Sequence, residues 1–226
     1  MSYTPVSVAT ISEIERIAVT EFGIPEILLM DNAGRAVSDI VSHDIGDRFA
    51  GDIDIFCGKG NNGGDGLVAA KYLSERYPGQ VFVYLDGQAS FRRSSAMTDL
   101  EILARLAVPV LDLSDFSIQA SNDLDVYIDA VFGIGFHGEL PGALERMFVS
   151  INSSGNEQRY SVDVPSGLNA DTGVASAGTF TANKTITFGL PKKGFYMADG
   201  PSRTGTVITK NIGFPPSLLR KYSAKP

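Results

Sequence analysis

The chain has 226 residues, with 19 Lys+Arg against 26 Asp+Glu and a formal net charge of −7. With 43% apolar and 20% charged residues it can bury a full core, which excludes a disordered chain, and it has no run of about 18 apolar residues to cross a bilayer. The acidic balance argues against a broad nucleic-acid surface, which needs a basic field, and the single cysteine, Cys57, permits neither an internal disulfide nor a Cys-rich zinc site.

The N-terminal residues carry neither the basic and apolar blocks of a signal peptide nor the Arg-rich face of a transit peptide, so a soluble cytoplasmic protein is expected. Thr10 and Glu13 form a capping-box pattern, and Ile11, Ile14, Ala18 and Phe22 share a helical face, which predicts a first helix over 10–22. A second is predicted over 26–41, with Leu29, Ala33, Ala36, Val37 and Ile40 as its apolar stripe. Short runs rich in β-branched and aromatic residues at 53–57, 81–85, 108–111, 126–128 and 160–164 predict strands. Helices are expected between them at 64–76, 94–106 and 142–151. The last third has strand patterns at 184–188 and 206–210 but no long helix. This β-α-β alternation predicts an α/β domain with a parallel sheet covered by helices on both faces. No repeat or linker divides it, so residues 1–226 read as one domain.

In an open parallel sheet, ligands bind beyond the carboxyl ends of the strands. The first such loop is Gly58-Lys-Gly-Asn-Asn-Gly-Gly-Asp-Gly66, whose five glycines permit positive φ and close backbone approach before a helix N-terminus. Gly58, Gly60 and Gly63 fit the dinucleotide fingerprint, with Asp86 after the next strand as a candidate ribose acceptor. A tight strand-to-helix turn is the alternative account of the glycines, but it does not require Asn61, Asn62 and Asp65. There is no Gly-Lys-Ser/Thr, so the loop is not a Walker A motif. The second loop, Asp129-Ala-Val-Phe-Gly-Ile-Gly135, begins with an acid that reads as a ligand-facing group or a loop cap. His137, just beyond, reads as a general acid or an ordinary loop histidine.

The third loop carries Asp163 and Ser166. Val164 and Leu168 stand where a nucleophile elbow needs glycines, so a serine hydrolase is disfavoured. Amide, carboxylate and hydroxyl oxygens converging without His or Cys suit a hard cation, or a general base beside a hydroxyl. Cys57, in an apolar run, reads as a buried core thiol. With His43 and His137 as the only histidines, a His-based metal site is not expected. The basic pairs Arg92-Arg93, Lys192-Lys193 and Arg220-Lys221 are short and read as solvated surface.

Taken together, Leu29-Met-Asp-Asn-Ala-Gly-Arg35, the 58–70 segment, Asp129 to Gly135, Val162-Asp-Val-Pro-Ser-Gly167, Thr187-Phe-Gly-Leu-Pro-Lys192 and Ile212-Gly-Phe-Pro215 resemble the YjeF N-terminal domain family, which contains the NAD(P)H-hydrate epimerases. The likeness runs in order over nearly the whole chain; Asp31 stands where Glu is commoner. It implies a Rossmann-like three-layer α-β-α sandwich with a mostly parallel sheet, in a homodimer. The implied activity interconverts the R and S epimers of NADHX and NADPHX at C6 of the hydrated nicotinamide ring, for metabolite repair. A separate dehydratase acts downstream; the chain ends at Pro226, so that partner is expected on another polypeptide.

The resemblance further implies that Asn61, Asn62, Gly63, Gly64, Asp65, Gly133, Ile134, Gly135, Phe136, His137, Gly138 and Glu139 bind the hydrated cofactor. Asp163 would be the catalytic acid/base beside its ring, with Lys192 nearby. One potassium ion per subunit would be held by Asn62, Asp129 and Ser166. Related domains in mRNA-decapping scaffolds keep the fold without activity, so a non-catalytic nucleotide-binding module is the alternative. An NAD-dependent dehydrogenase is a third reading, resting on the glycine fingerprint and Asp86 alone.

Overall fold

A computed structural model describes residues 4–87, 96–118, 124–155 and 157–223. Seven strands form the sheet: β1 (Ile53–Cys57), β2 (Val81–Leu85), β3 (Val110–Asp112), β4 (Asp125–Ala130), β5 (Glu157–Val162), β6 (Lys184–Phe188) and β7 (Thr206–Lys210). Their order is β3-β2-β1-β4-β5-β6-β7, and every neighbouring pair is parallel. The chain therefore works outward from β1 to β3, then starts again beside β1 with β4. Such a reversal opens a crevice at the carboxyl ends of the two central strands.

Alternation along the strands divides the core in two. In β1, Ile53, Ile55 and Cys57 join one apolar cluster while Phe56 joins another, as a period of two requires. The larger cluster lies under α1 (Val8–Thr20), α2 (Glu26–Ile45), α3 (Asn61–Arg76) and α4 (Ala96–Arg105). The smaller is aromatic and lies under α5 (Gly142–Ser153), where Phe148 packs edge-on to Phe180. Two short helices, α6 (Gly200–Thr204) and α7 (Pro216–Ser223), complete the chain. The three-layer α-β-α sandwich is the expected one, and its sheet is wholly parallel.

Several boundaries differ from the sequence pattern for identifiable reasons. Helix α1 starts at Val8, because Ser7 is the cap and accepts from the Thr10 amide; Glu13 is drawn to Arg16 instead of closing a capping box. Helix α2 continues to Ile45 and stops at Gly46, whose φ is +71°. Helix α3 begins at Asn61, three residues earlier than expected, so the Asn-Asn-Gly-Gly-Asp segment is its first turn. Strand β4 extends through Asp129, which sits inside the ladder opposite Phe56 and Ser161. Strand β5 ends at Val162, leaving Asp163 as the first residue beyond it.

The absence of a long helix from the last third holds, but α7 was not anticipated; it sinks Leu218 and Leu219 into the larger cluster. Cys57 is a buried free thiol, pushed well up by burial. Arg92-Arg93 and the start of the 94–106 helix lie outside the described residues. Among the described members of the basic pairs, the surface reading fails at Lys192, which is fully buried, whereas Lys193, Arg220 and Lys221 are exposed. No described helix is long and apolar enough to cross a membrane.

Candidate active site

A cleft of about 710 Å³ opens above the crevice between β1 and β4. Residues at or beyond the carboxyl ends of β1, β2, β4, β5, β6 and β7 line it: Asn62, Asp86, Val131, Asp163, Phe188 and Ile212 among them. Helix α1 and the start of α2 contribute the rest of the wall, including Glu15, Arg16, Glu26 and Met30.

The glycine-rich turn owes its composition to contact. None of Gly58, Gly60, Gly63, Gly64 and Gly66 has a positive φ. A Cβ on Gly63 would fall 1.8 Å from the Gly58 carbonyl oxygen, and one on Gly66 would fall 2.6 Å from Cβ of Ala130. The glycines thus let α3 descend onto the ends of β1 and β4. Gly60 caps α3 without a side-chain hydrogen bond, so the first amides of the helix are left for another acceptor. Asn61 is exposed at the mouth, whereas Asn62 is 8% exposed and neither atom of its amide has a hydrogen-bond partner. A Cβ on Gly133 would stand 3.4 Å from that amide, so Asn62 lies against the loop after β4. A buried amide left unsatisfied costs about 1–3 kcal/mol, and this one adjoins the cleft.

Asp129 is in the opposite condition. It is inaccessible, and accepts from the Ser166 amide at 2.7 Å, the Ser166 hydroxyl at 2.6 Å and the Val131 amide at 3.2 Å. Ser166 Oγ in turn accepts from the Phe132 amide at 2.8 Å. These bonds tie the loops after β4 and β5 together beneath the cleft. Burial pushes Asp129 up to about 7 against the lowering pull of the Ser166 bonds. A serine buried this way, bonded to a carboxylate and accepting an amide, is no nucleophile.

Asp163 stands at the end of β5 with φ at +61°, a left-handed conformation that few non-glycine residues adopt. Its amide donates to the Ile186 carbonyl, which fixes it across the β5–β6 gap. Its Oδ1 accepts from Thr187 Oγ1 at 3.1 Å, from the Phe188 amide at 3.3 Å and from Lys192 Nζ. All of these bonds converge on Oδ1, which leaves Oδ2 for the cleft. Lys192 is fully buried and also donates to Thr187 Oγ1 and the Phe188 carbonyl. It holds Asp163 from behind and does not itself line the cleft.

Two of the other carboxylates that line the cleft are displaced from the usual range. Burial, aided by the Asp163 and Glu15 charges and opposed by Lys192, holds Asp65 well above the usual carboxylate range. Glu15 is pushed up to about 7, chiefly by burial, then by Asp163 and Glu26 against the pull of Lys192. At the mouth, Lys59 Nζ approaches Asp86 Oδ2 at 3.7 Å.

Of the residues singled out from the sequence, Asn61, Asn62, Asp65, Gly133, Ile134, Gly135, Phe136 and Asp163 meet at the cleft. Gly63 and Gly64 lie behind it in close packing contacts, and Asp129 and Ser166 lie beneath it. His137 reaches Asn169, Glu139 accepts from Ser176, and Gly138 takes a positive φ between them, outside the cleft lining. Sequence reasoning missed Glu15, Arg16, Glu26, Phe188, Ile212 and Phe214. One signal was available for Glu15. It falls four residues after Ile11 and three before Ala18, level with a buried stripe where a carboxylate is out of place.

The model of the YjeF-related protein N-terminus family matches residues 26–194. The chain is 39% identical to the bifunctional NAD(P)H-hydrate repair enzyme Nnr of Moorella thermoacetica, over 95% of this chain and 41% of that protein. It thus spans about two fifths of the length of that bifunctional relative. It is 36% identical to the NAD(P)H-hydrate epimerase of Elusimicrobium minutum, over 92% of this chain and 95% of that one. With the NAD(P)H-hydrate epimerase of Rhodopirellula baltica the identity is 31%, over 97% and 88%. The crystal structure of the yeast protein YNL200c superposes with a TM-score of 0.80 at 22% identity, covering 99% of this chain and 95% of that one, and shares the fold.

Proposed function

This chain belongs to the YjeF-related protein N-terminus family, and on that premise we propose that it is an NAD(P)H-hydrate epimerase, an isomerase that interconverts the R and S epimers of NADHX and NADPHX. The observation that carries the reading is Asp163. It is a carboxylate held in a strained backbone conformation, anchored through one oxygen by Lys192, Thr187 and the Phe188 amide, with the other oxygen free toward a nucleotide-sized cleft. Strain and a buried ion pair are expensive, and they persist where a group must be held in place for chemistry.

The unpaired amides at the start of α3 suit the pyrophosphate of the ligand, which the overall acidic charge of the chain does not attract. Asp163 acts as an acid/base group at C6: it gives or takes the proton as the hydroxyl leaves or returns as water. Potassium fits the oxygens of Asn62, Asp129 and Ser166, since the Asn62 amide is buried and unpaired. When bound, the ion supplies a fixed positive charge beside an anionic ligand. A homodimer in the cytoplasm, working ahead of a dehydratase that takes the S epimer, completes the proposal. A non-catalytic binding module has no use for the Asp163–Lys192 arrangement.

The test supplies an R/S hydrate mixture together with an S-specific dehydratase. With this protein present, consumption continues past the S fraction to completion; persistence of the R fraction refutes the activity.

A further inference from the structure

An epimerisation by departure and return of water needs proton transfer on both faces of one carbon. A single carboxylate reaches one face. Asp163 belongs to the wall built by the strand ends, and Glu15 to the wall built by α1. Both line the one cleft, carried by different elements, and lie near enough for their charges to act on each other.

Glu15 has the marks of a functional group. It is half-buried at a position level with the buried stripe of α1, and its carboxylate makes no hydrogen bond or ion pair among the described residues. The charged groups around it come from three other regions: Asp163 and Lys192 beyond β5 and β6, Glu26 on α2 and Asp65 on α3. The unpaired amide of Asn62, which lines the same cleft, independently marks the space as a ligand site. Among the carboxylates that line the cleft, Asp163 is ion-paired with Lys192 while burial drives Glu15 toward neutrality, a difference of environment that separates base from acid.

We propose that Glu15 is the second catalytic acid/base, serving the ring face opposite Asp163; the proposal rests on the epimerase reading. In one direction Glu15 gives its proton to the C6 hydroxyl. The C6–O bond breaks with its electron pair on oxygen, water leaves, and the N1 lone pair closes an N1=C6 iminium. Water on the other face then bonds to C6 through oxygen, the π pair returns to N1, and the proton passes to Asp163. Nothing is oxidised or reduced. The reverse direction exchanges the two roles, and bulk water restores the proton between turnovers.

The test follows inversion and oxygen exchange from H2¹⁸O separately, for each epimer, in Glu15→Gln and Asp163→Asn. Glu15→Gln lowers inversion about 10²–10⁴-fold, yet the epimer whose hydroxyl faces Asp163 continues to exchange oxygen with retention. Asp163→Asn shows the same behaviour with the other epimer, and Glu15→Asp recovers part of the inversion. The proposal is overturned if Glu15→Gln inverts like the wild type, or if it loses exchange from both epimers in proportion to inversion. Failure of the wild-type protein to invert either epimer refutes the epimerase reading itself, before any variant is compared.

Discussion

The cleft wall and the aromatic face under α5 both contain a carboxylate pushed up to about 7: Glu15 in the first, Asp54 in the second. In both, burial is the main cause. The surroundings differ. Asp54 lies beside the Tyr84 hydroxyl, in a layer where Phe56, Tyr84, Phe116 and Tyr127 meet tilted or edge-on at ring distances of 4.7 to 6.1 Å. Around Glu15 there is open volume, an unpaired amide and a strained aspartate. A displaced carboxylate therefore does not identify a site. A displaced carboxylate that is unpartnered and faces a cavity does.

Breaking each region should separate activity from stability. The largest effect is expected from Asp163→Asn, which lowers epimerisation about 10²–10⁴-fold while cooperative unfolding is retained, as seen by comparing the coupled dehydratase assay with thermal melts. Phe148→Ala, in the aromatic face, should do the reverse. It removes an inaccessible ring packed on Phe180 and costs about 3–5 kcal/mol in denaturant titrations, with kcat unchanged wherever the protein is folded.

The pH dependence of stability sharpens the contrast further. The folded form of Asp54 holds its proton up to about 7, whereas the unfolded side chain loses it near 3.8. Below 3.8 both states are protonated and Asp54 adds no slope. Between the two values the folded state binds more protons, so stability falls as pH rises, by up to about 4 kcal/mol in total. Asp54→Asn should flatten that fall without altering activity, which chemical denaturation at pH 4.5 and pH 8 will reveal. The smallest change is expected from Ser7→Ala, which removes the cap of α1 and costs about 1 kcal/mol. Because α1 carries Glu15, its KM should rise slightly, whereas a matched loss of stability in the aromatic face should leave KM alone.

Much of the site was legible in the chain. The carboxyl-end rule pointed to the loops at Gly58–Gly66, Asp129–Gly135 and Asp163–Ser166, and all three converge at the crevice or directly beneath it. As half of a basic pair next to a turn Lys192 reads as surface, and only the family resemblance puts it near Asp163, where it lies. Its burial depends on Asp163, a strand away. The glycines of the first loop were correctly read as permitting close approach, but positive φ played no part in them. The partners that required Gly58 and Gly66 to be small, Val131 and Ala130 at the end of β4, are distant in sequence. Helix α7 escaped because eight residues between prolines and a basic tail give a pattern too short to separate from a loop.

Local spacing settled the α/β alternation, the parallel sheet and the identity of the ligand-bearing loops, because helix and strand periods and turn chemistry act between near neighbours. Only the folded chain decided which carboxylates are satisfied and which are held ready. Ser166 bonds both oxygens of Asp129, Lys192 anchors Asp163 by one oxygen, and Glu15 arrives from the first helix with no partner among the described residues. Those distinctions depend on hydrogen bonds and burial between segments far apart in the sequence, so no local pattern can encode them.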